Sequence, residues 1–277
     1  MSSAKQNQFD KPRLNELFDD LNATLKDFIR KHQVTYEEFH RGLAFLTEVG
    51  EKGETPLLFD VFLESTIDVV NNRERGGTAT AVEGPFYLKD MPEMKSPCVL
   101  PHRADEPGNV LIFSGTVRST DGNLLAGAIV DYWQADAEGN YSHFNIPKEK
   151  APFNLRARVK SDDKGRFEIQ TWVPSSYEIP KGGPTGALVK ALGRHAWRPA
   201  HLHALVQHPG CEDLMTQIFI QGDQWIDSDV VGAVKESLIA GLVKRDDSAE
   251  ISKRGLKQPF YTLEFDFVLP RGMMKAA

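Results

Sequence analysis

Apolar residues recur at helical spacing through the first third of the chain. Large aliphatic and aromatic side chains fall at i, i+3, i+4 and i+7 positions between Leu14 and Ile29, which predicts an amphipathic helix. Pro12 stands near its start, where the missing N–H costs little. A second helix is predicted to begin at Thr35, because Glu38 follows three residues later in the pattern of a capping box.

A third helix, predicted to begin at Thr55, is apolar on nearly all sides. Leucine, phenylalanine, valine and isoleucine dominate residues 57–70. A helix without a polar face is expected in the core of its own chain or in the interface of an oligomer. The pattern leaves both alternatives open.

From about residue 76 the pattern changes to short β-rich runs separated by polar turns. The predicted strands cover residues 110–117, 127–133, 155–159, 166–173, 201–207, 215–221 and 260–268. Polar segments that contain glycine with Asp, Asn or Glu mark turns at 121–123, 138–140 and 162–165. Many short strands with polar turns favour an antiparallel β-sandwich. A late helix is predicted over residues 229–244.

The fold class predicted from these elements is mainly β with an α-helical N-terminal region. The chain has 277 residues, 40% of them hydrophobic, which is enough for one large core or two modest ones. We predict a helical domain over residues 1–95 and a β-sandwich domain over residues 96–277.

Charge and cysteine content narrow the functional classes. The formal net charge of -6 and the absence of basic runs argue against a nucleic-acid partner. Cys98 and Cys211 have no CxxC spacing and are too few for a disulfide framework. There is no apolar leader and no apolar stretch of membrane-spanning length. The sequence therefore predicts a cytoplasmic protein with no membrane partner.

A pair of histidines in the predicted strand 201–207 could bind a metal ion. Side chains alternate between the two faces of a strand, so His201 and His203 point the same way and could chelate one ion. Two ordinary histidines on a polar face would show the same spacing.

Two tyrosines in turn-rich segments could complete such a site. Tyr141 follows the turn at 138–140, and Tyr177 lies between Pro174 and Pro180. A phenol has a pKa of about 10 and coordinates only where a strong Lewis acid removes its proton. Two imidazoles with two phenolates would favour Fe(III), since hard anionic oxygens suit a hard trivalent ion. Each tyrosine could equally be a core residue.

Four segments, in this order along the chain, resemble the intradiol ring-cleavage dioxygenases. They are Gly84–Tyr87 (GPFY), Gly139–Ser142 (GNYS), Tyr177–Pro180 (YEIP) and Gly193–His203 (GRHAWRPAHLH). The resemblance runs from about residue 13 to 268. Within the family, the sequence is similar to the catechol 1,2-dioxygenase branch. It implies a helical dimerisation domain before the β-sandwich, a homodimer formed through the N-terminal helices, and in some members a phospholipid bound in that interface.

The resemblance also implies the roles of individual residues. Tyr141 and His201 correspond to equatorial ligands, and Tyr177 and His203 to axial ligands, of one Fe(III) per subunit. Arg198 corresponds to an active-site arginine that stabilises negative charge on the reacting substrate; a purely structural ion pair with a carboxylate is its alternative. Gln217 corresponds to a glutamine beside the iron. The implied substrate-pocket residues are Leu57, Asp60, Val82, Gly84, Pro85, Phe86, Ile179, Pro180 and Arg198.

The implied reaction is the opening of an aromatic 1,2-diol by O₂, with catechol converted to cis,cis-muconate. Hydroxyquinol and chlorocatechols remain alternative substrates. Segments around Trp197 and Asp223 look like those of hydroxyquinol enzymes, whereas residues 82–85 and 216–217 look more like those of catechol enzymes, and Phe86 could shift tolerance towards substituted rings. Two remote alternatives are a zinc hydrolase that uses His201, His203 and Asp223, and a non-catalytic sandwich that binds a ligand or partner.

Overall fold

A computed structural model describes residues 10–272 of the chain. These residues divide into two compact units, with the division between Lys52 and Gly53. The first unit contains helices α1 (Lys11–His32) and α2 (Tyr36–Glu51). The capping box predicted for α2 is confirmed: the Thr35 hydroxyl accepts from the Glu38 N–H, and the Glu38 carboxylate accepts from the Thr35 N–H.

The apolar stripes of both helices are exposed on the isolated chain. Leu17, Leu21 and Phe28 of α1 are 52%, 58% and 54% exposed. On α2 the exposed large side chains include Phe39, Leu43 and Leu46. The amphipathic pattern is therefore present in the helices, and the large side chains of its apolar side are exposed in the structure of residues 10–272.

The third predicted helix begins the second unit and is interrupted by a wider turn. It consists of α3 (Thr55–Phe59), a π-helical turn (Asp60–Glu64) and α4 (Ser65–Asn71). Val61 is buried, whereas Leu63, Ile67 and Val70 are 49%, 59% and 60% exposed. The alternative that buries this segment on all sides within its own chain is wrong.

Two large β-sheets and one short hairpin-like pair form the rest of the second unit. The strands of the first sheet, in spatial order, are β1 (Glu93–Lys95), β5 (Arg156–Lys160), β4 (Ile129–Gln134), β9 (His201–Gln207), β10 (Leu214–Ile220) and β11 (Ile239–Ala240). Those of the second are β12 (Val243–Arg245), β13 (Phe260–Glu264), β3 (Val110–Ser119), β6 (Arg166–Trp172) and β2 (Cys98–Val99), and β14 (Phe267–Leu269) also pairs with β3. The short pair is β7 (Tyr177–Glu178) with β8 (Trp197–Arg198). Helices α5 (Pro184–Ala191) and α6 (Ser248–Lys253), with 3-10 turns Ile226–Ser228 and Glu236–Leu238, complete the elements.

The predicted fold class, a β-sandwich with a helical N-terminal region, is confirmed. Central pairs such as β4 with β9 and β3 with β6 are antiparallel, whereas β13 lies parallel to β3. Several edge strands add in parallel, such as β1 beside β5 and β11 beside β10. The core contains side chains from both sheets, among them Phe113 and Phe167 of the second and Val130, Leu202 and Ile218 of the first. Apolar residues at alternate positions thus meet between the layers.

The late helix predicted over residues 229–244 is wrong. The Asp229 carboxylate accepts from the backbone N–H groups of Val231 and Ala233, and Gly232 between them has a left-handed φ of +65°. Further on, β11 pairs with β10 and β12 pairs with β13. Sheet pairing of valine- and isoleucine-rich segments has overridden a helical spacing.

Two smaller points concern boundaries. The run predicted as one strand over 260–268 is divided into β13 and β14, which both pair with β3. The domain boundary near residue 95 stays a prediction. Among the described residues, no helix combines the length and apolar character that crossing a lipid bilayer requires.

Candidate active site

The two histidines lie at the centre of the first sheet, on β9. His203 is opposite Trp133 of β4 on one side and Gln217 of β10 on the other. The Trp133 and His203 rings stack, with centroids 4.6 Å apart and planes 13° from parallel. Their position on alternate residues turns both imidazoles to one face, and the His201 and His203 Nε2 atoms are 3.0 Å apart.

Tyr141 reaches this face from the loop that follows β4. The Asp136 carboxylate accepts from the N–H groups of Glu138 and Asn140, both at 2.9 Å, and so fixes the turn that precedes Tyr141. The Tyr141 side chain is 1% exposed, and its Oη atom lies 3.2 Å from His203 Nε2.

Tyr177 arrives on β7, directly opposite Arg198 of β8. Its ring centroid is 5.7 Å from that of His201 and 5.4 Å from that of Tyr141. Gly139 allows this approach, because a Cβ built on it would lie 2.9 Å from the Tyr177 Cβ. Its φ of +82° is also a conformation that suits glycine. The two tyrosine loops therefore depend on each other.

The structure thus brings together the four residues predicted as ligands. His201 Nδ1–H donates to the Pro199 carbonyl at 2.7 Å, which leaves the Nε2 lone pair directed at the cluster. Burial lowers the pKa of His201 to about 3, so its imidazole is neutral, and burial also lowers the pKa of His203. Burial raises the pKa of Tyr141 and of Tyr177.

This donor set fits a metal cation. Neutral imidazole nitrogens and phenol oxygens lie near 3 Å from each other in this cluster. Most of these atoms are hydrogen-bond acceptors, and few N–H or O–H groups are available to donate to them. A cation among them would receive both nitrogen lone pairs and favour the ionised phenols that burial alone disfavours. Two phenolate oxygens with two imidazoles match the preference of Fe(III).

Arg198 lies beside the four residues and is held by a carboxylate and an amide. Its Nε and Nη2 atoms contact the two Asp229 carboxylate oxygens at 3.0 and 3.1 Å, and Nη2 also donates to Gln217 Oε1 at 2.9 Å. Gln217 Nε2 in turn donates to the Val82 carbonyl. Burial alone would lower the pKa of Arg198, but Asp229 more than offsets it and raises that pKa above its usual value. The guanidinium Nη1 atom is 3.4 Å from His201 Nε2. Arg198 therefore has both a structural ion pair and access to the cluster.

A small cavity adjoins Tyr177 and Arg198. The pocket residues predicted from the sequence all line it, and they are Leu57, Asp60, Val82, Gly84, Pro85, Phe86, Ile179, Pro180 and Arg198. Phe86 stacks on Tyr141 with ring centroids 4.3 Å apart. Val61, Glu64 and Val231 also line the cavity, and the sequence did not single them out. Val61 and Glu64 follow Leu57 by four and seven residues, which places all three on one face of a helix. This helical spacing is the signal that could have identified Val61 and Glu64 from the sequence.

Two other residues that the sequence analysis did not identify hold the site residues in position through hydrogen bonds. Asp229 had been assigned to the late helix, and its partner Arg198 is 31 positions away, so no local pattern marks the pair. Arg156 is fully buried and donates to the Phe86 carbonyl and to the Ser142 hydroxyl and carbonyl. It thereby joins the two segments that present Phe86 and Tyr141.

The zinc alternative lacks its third ligand. The Asp223 carboxylate accepts from the backbone N–H groups of Ala200 and Trp225, at 3.0 and 2.9 Å. Within residues 10–272 there is no group of three or more His, Cys, Asp or Glu side chains placed to hold a metal ion.

Two family models match the chain and together cover most of it. The model described as catechol dioxygenase N terminus matches residues 11–79, and the model described as dioxygenase matches residues 82–271. The second match contains the whole β-sandwich and all four clustered residues.

Individual relatives agree with the family models. A chlorocatechol 1,2-dioxygenase of Rhodococcus opacus is 39% identical over 93% of this chain and 97% of its own length. A 6-chlorohydroxyquinol 1,2-dioxygenase of Cupriavidus pinatubonensis is 37% identical, over 93% and 90%. The solved structure of catechol 1,2-dioxygenase from Acinetobacter superposes with a TM-score of 0.87 at 30% identity, over 96% of this chain and 89% of that one. The chain belongs to the intradiol ring-cleavage dioxygenases, in the catechol 1,2-dioxygenase family.

Proposed function

We propose that Tyr141, Tyr177, His201 and His203 bind one Fe(III) per subunit and that the protein uses it to cleave catechol with O₂. The convergence of two buried phenols on two neutral imidazoles carries this proposal. Bound Fe(III) would supply Lewis-acid and redox chemistry towards the diol and O₂.

The cavity beside Tyr177 and Arg198 is the proposed place for the diol ring. Its walls are mainly apolar, with Phe86, Ile179 and Pro180 among them, which suits a flat aromatic ring. The four proposed ligands are at most 7% exposed, so bound substrate would exclude bulk water from the reacting atoms.

Tyr177 and Arg198 are the groups that we assign to proton and charge handling. A diol that binds through both oxygens must lose two protons, and we assign one of them to the Tyr177 Oη atom. Burial favours the neutral phenol, so Tyr177 would retain this proton. The fixed positive charge of Arg198, held in place by Asp229, would stabilise negative charge that develops on the ring.

The proposed overall reaction breaks the bond between the two hydroxyl-bearing carbons and places both atoms of O₂ in cis,cis-muconate. This balance needs no nicotinamide or flavin. Relatives of similar identity are named for chlorocatechol and for 6-chlorohydroxyquinol. Catechol is the parent ring of these diols, and we propose it as the common substrate, with hydroxyquinol and chlorocatechols as the alternatives.

A homodimer is proposed on the basis of the exposed apolar stripes. Seven large apolar residues of α1 are between 42% and 62% exposed, and they are Leu14, Leu17, Phe18, Leu21, Leu25, Phe28 and Ile29. A contiguous stripe of this kind is typical of a protein or lipid contact. We propose that residues 1–95 act as the dimerisation and linker domain and that a phospholipid can occupy the dimer interface. We propose that residues 96–277 form the catalytic domain. Residues 57–86 add one wall to its pocket. Cytoplasmic location stays a prediction.

The test compares metals and substrates in one preparation. Metal-free protein is loaded with Fe(III) or with Zn(II), and oxygen uptake and muconate formation are followed after catechol is added. We expect one O₂ consumed for each muconate formed with iron, and neither with zinc. Equal oxygen uptake and muconate formation with zinc would refute the role of Fe(III), and no turnover of any ortho-diol with iron would refute the proposal.

A further inference from the structure

A row of aromatic rings leads from His203 towards the protein surface. Trp133 is 0% exposed and stacks on the His203 imidazole, with ring centroids 4.6 Å apart. The Tyr87 ring contacts Trp133 in turn, with centroids 5.0 Å apart, and Tyr87 is partly exposed to solvent. Both distances are those of direct aromatic contact. Two ring contacts therefore connect a proposed metal ligand with the surface.

The chemistry of these rings makes the row a path for electrons. Indole and phenol rings lose one electron more readily than the other aromatic side chains. Phe86 and Phe219 also contact the clustered residues, but a benzene ring holds its electrons much more tightly. Electron transfer slows exponentially with distance, so it is fastest between rings in contact. An electron from Tyr87 can therefore reach the cluster in two short steps through Trp133.

The hydrogen bonds of the two rings give the path a direction. The Trp133 indole N–H is buried without an acceptor among residues 10–272, so an oxidised Trp133 has no base beside it. The Tyr87 hydroxyl donates to a carboxylate oxygen of Asp131 at 3.1 Å. Burial raises the pKa of Asp131 to about 6, so at pH 7 this carboxylate is largely ionised and can take a proton. Oxidation is therefore expected to end at Tyr87.

We propose that Trp133 and Tyr87 form an electron relay that protects the metal ligands from oxidation. The oxidant is a peroxide-derived one-electron oxidant at the site. Trp133 gives it one electron and takes one from Tyr87, whose hydroxyl proton passes to Asp131. The Tyr87 phenoxyl radical then takes one electron from a thiolate in solution, which becomes a thiyl radical, and Asp131 returns the proton. This inference rests on the proposed function, because it requires a redox-active metal at the four residues.

The test exposes iron-loaded full-length protein to hydrogen peroxide without diol or thiol. Freeze-quenched samples are examined by electron paramagnetic resonance, and ring-deuterated tyrosine identifies a phenoxyl radical by its narrower signal. Oxidised side chains are then located by peptide mass spectrometry. The variants are Tyr87→Phe, Trp133→Phe and Asp131→Asn. Tyr261→Phe is the matched control, because Tyr261 is also partly exposed but lies on β13 of the second sheet.

We expect a phenoxyl radical in wild type and in Tyr261→Phe, and its loss in Tyr87→Phe. In Tyr87→Phe the oxidation stops at Trp133, so oxidation of Trp133 and His203 should increase several-fold. Trp133→Phe interrupts the row next to the cluster and should also abolish the Tyr87 signal. Asp131→Asn keeps an oxygen that accepts from Tyr87 but removes the base, and should lower the radical yield.

Two results would overturn the inference directly. One is a wild-type protein without a phenoxyl radical, and the other is a radical that persists unchanged in Tyr87→Phe. A merely structural role of Tyr87 would increase oxidation throughout the chain rather than at Trp133 and His203, and that pattern would also overturn it. Should Trp133→Phe fail to bind iron, Tyr87→Phe decides alone.

Diol cleavage without peroxide separates this inference from the proposed function. The rate should be the same in wild type and Tyr87→Phe, because Tyr87 does not line the cavity. If the radical experiment fails while catechol is cleaved, the relay is refuted and the proposed function stands. A wild-type protein that binds no iron and cleaves no ortho-diol would refute the proposed function and this inference with it.

Discussion

The ion pair between Arg198 and Asp229 gives the sharpest prediction about how the site is held. The two side chains are 3% and 1% exposed, and they meet through two contacts of 3.0 and 3.1 Å. Asp229→Asn keeps the shape of the side chain but places an amide N–H₂ against the guanidinium. Arg198 then becomes a buried charge without an anionic partner, which costs about 3–5 kcal/mol of stability.

The prediction is measured by urea unfolding of wild type and Asp229→Asn at pH 7, alongside Asp246→Asn. The control breaks the pair Lys244–Asp246, whose side chains are 56% and 70% exposed, and should cost at most about 1 kcal/mol. Diol cleavage should fall in Asp229→Asn and not in the control, because Arg198 loses its position beside the cluster. If the two variants unfold at the same urea concentration as wild type, the reasoning about this pair is wrong.

The pH dependence of the same pair has a defined sign. Burial alone would raise the pKa of Asp229, but Arg198 lowers it overall. A carboxyl whose folded-state pKa is depressed stabilises the protein above its unfolded pKa, and this contribution is lost as pH falls through the folded value. The stability difference between wild type and Asp229→Asn should therefore be constant from pH 6 to 8 and shrink only in strongly acidic solution.

Three further predictions concern the loops, the pocket wall and the helices. Gly139→Ala should lower the free energy of unfolding in urea by about 1–3 kcal/mol and impair cleavage. The new Cβ would lie 2.9 Å from the Tyr177 Cβ, and residue 139 has a φ of +82°. A variant with wild-type stability and activity would contradict this. Glu64 binds its proton more tightly in the folded state, with a pKa of about 7 against 4.5, so wild-type stability should fall from pH 4.5 to 7. In thermal unfolding Glu64→Gln should gain on wild type over that range, and parallel profiles would refute the effect. Replacing both Leu17 and Leu21 by Glu should yield monomers in sedimentation equilibrium, because both lie on the exposed α1 stripe; an unchanged dimer would exclude this stripe from the interface.

Local patterns were sufficient for the helices at the start and for most strands. The capping box at Thr35 and the alternation along β9 depend on residues within a few positions of each other, so the sequence reveals them directly. The same alternation places His201 and His203 on one face. Resemblance to a family was needed to connect them with Tyr141 and Tyr177, which lie 60 and 24 positions before His201 in the chain.

The errors arose where distant contacts decide the backbone. Residues 229–244 have helical spacing, but the Asp229 side chain is bound by Arg198 and by its own following N–H groups, and the segment beyond pairs with β10 and β13. The π-helical turn at Asp60–Glu64 likewise leaves no local signature in an apolar segment. Both lie at the cavity, where local preference and tertiary structure diverge.

The central claim is that four side chains form one ferric centre, and the visible absorption of iron-loaded protein tests it most directly. Iron content and the phenolate-to-iron charge-transfer band are measured for wild type, Tyr141→Phe and Tyr177→Phe, with Tyr261→Phe of β13 as control. We expect one iron per chain and an intense band in wild type and control, and a shifted or weakened band in each of the other two variants. A band that neither Tyr141→Phe nor Tyr177→Phe alters, or a colourless wild type that still cleaves diols, would contradict the account.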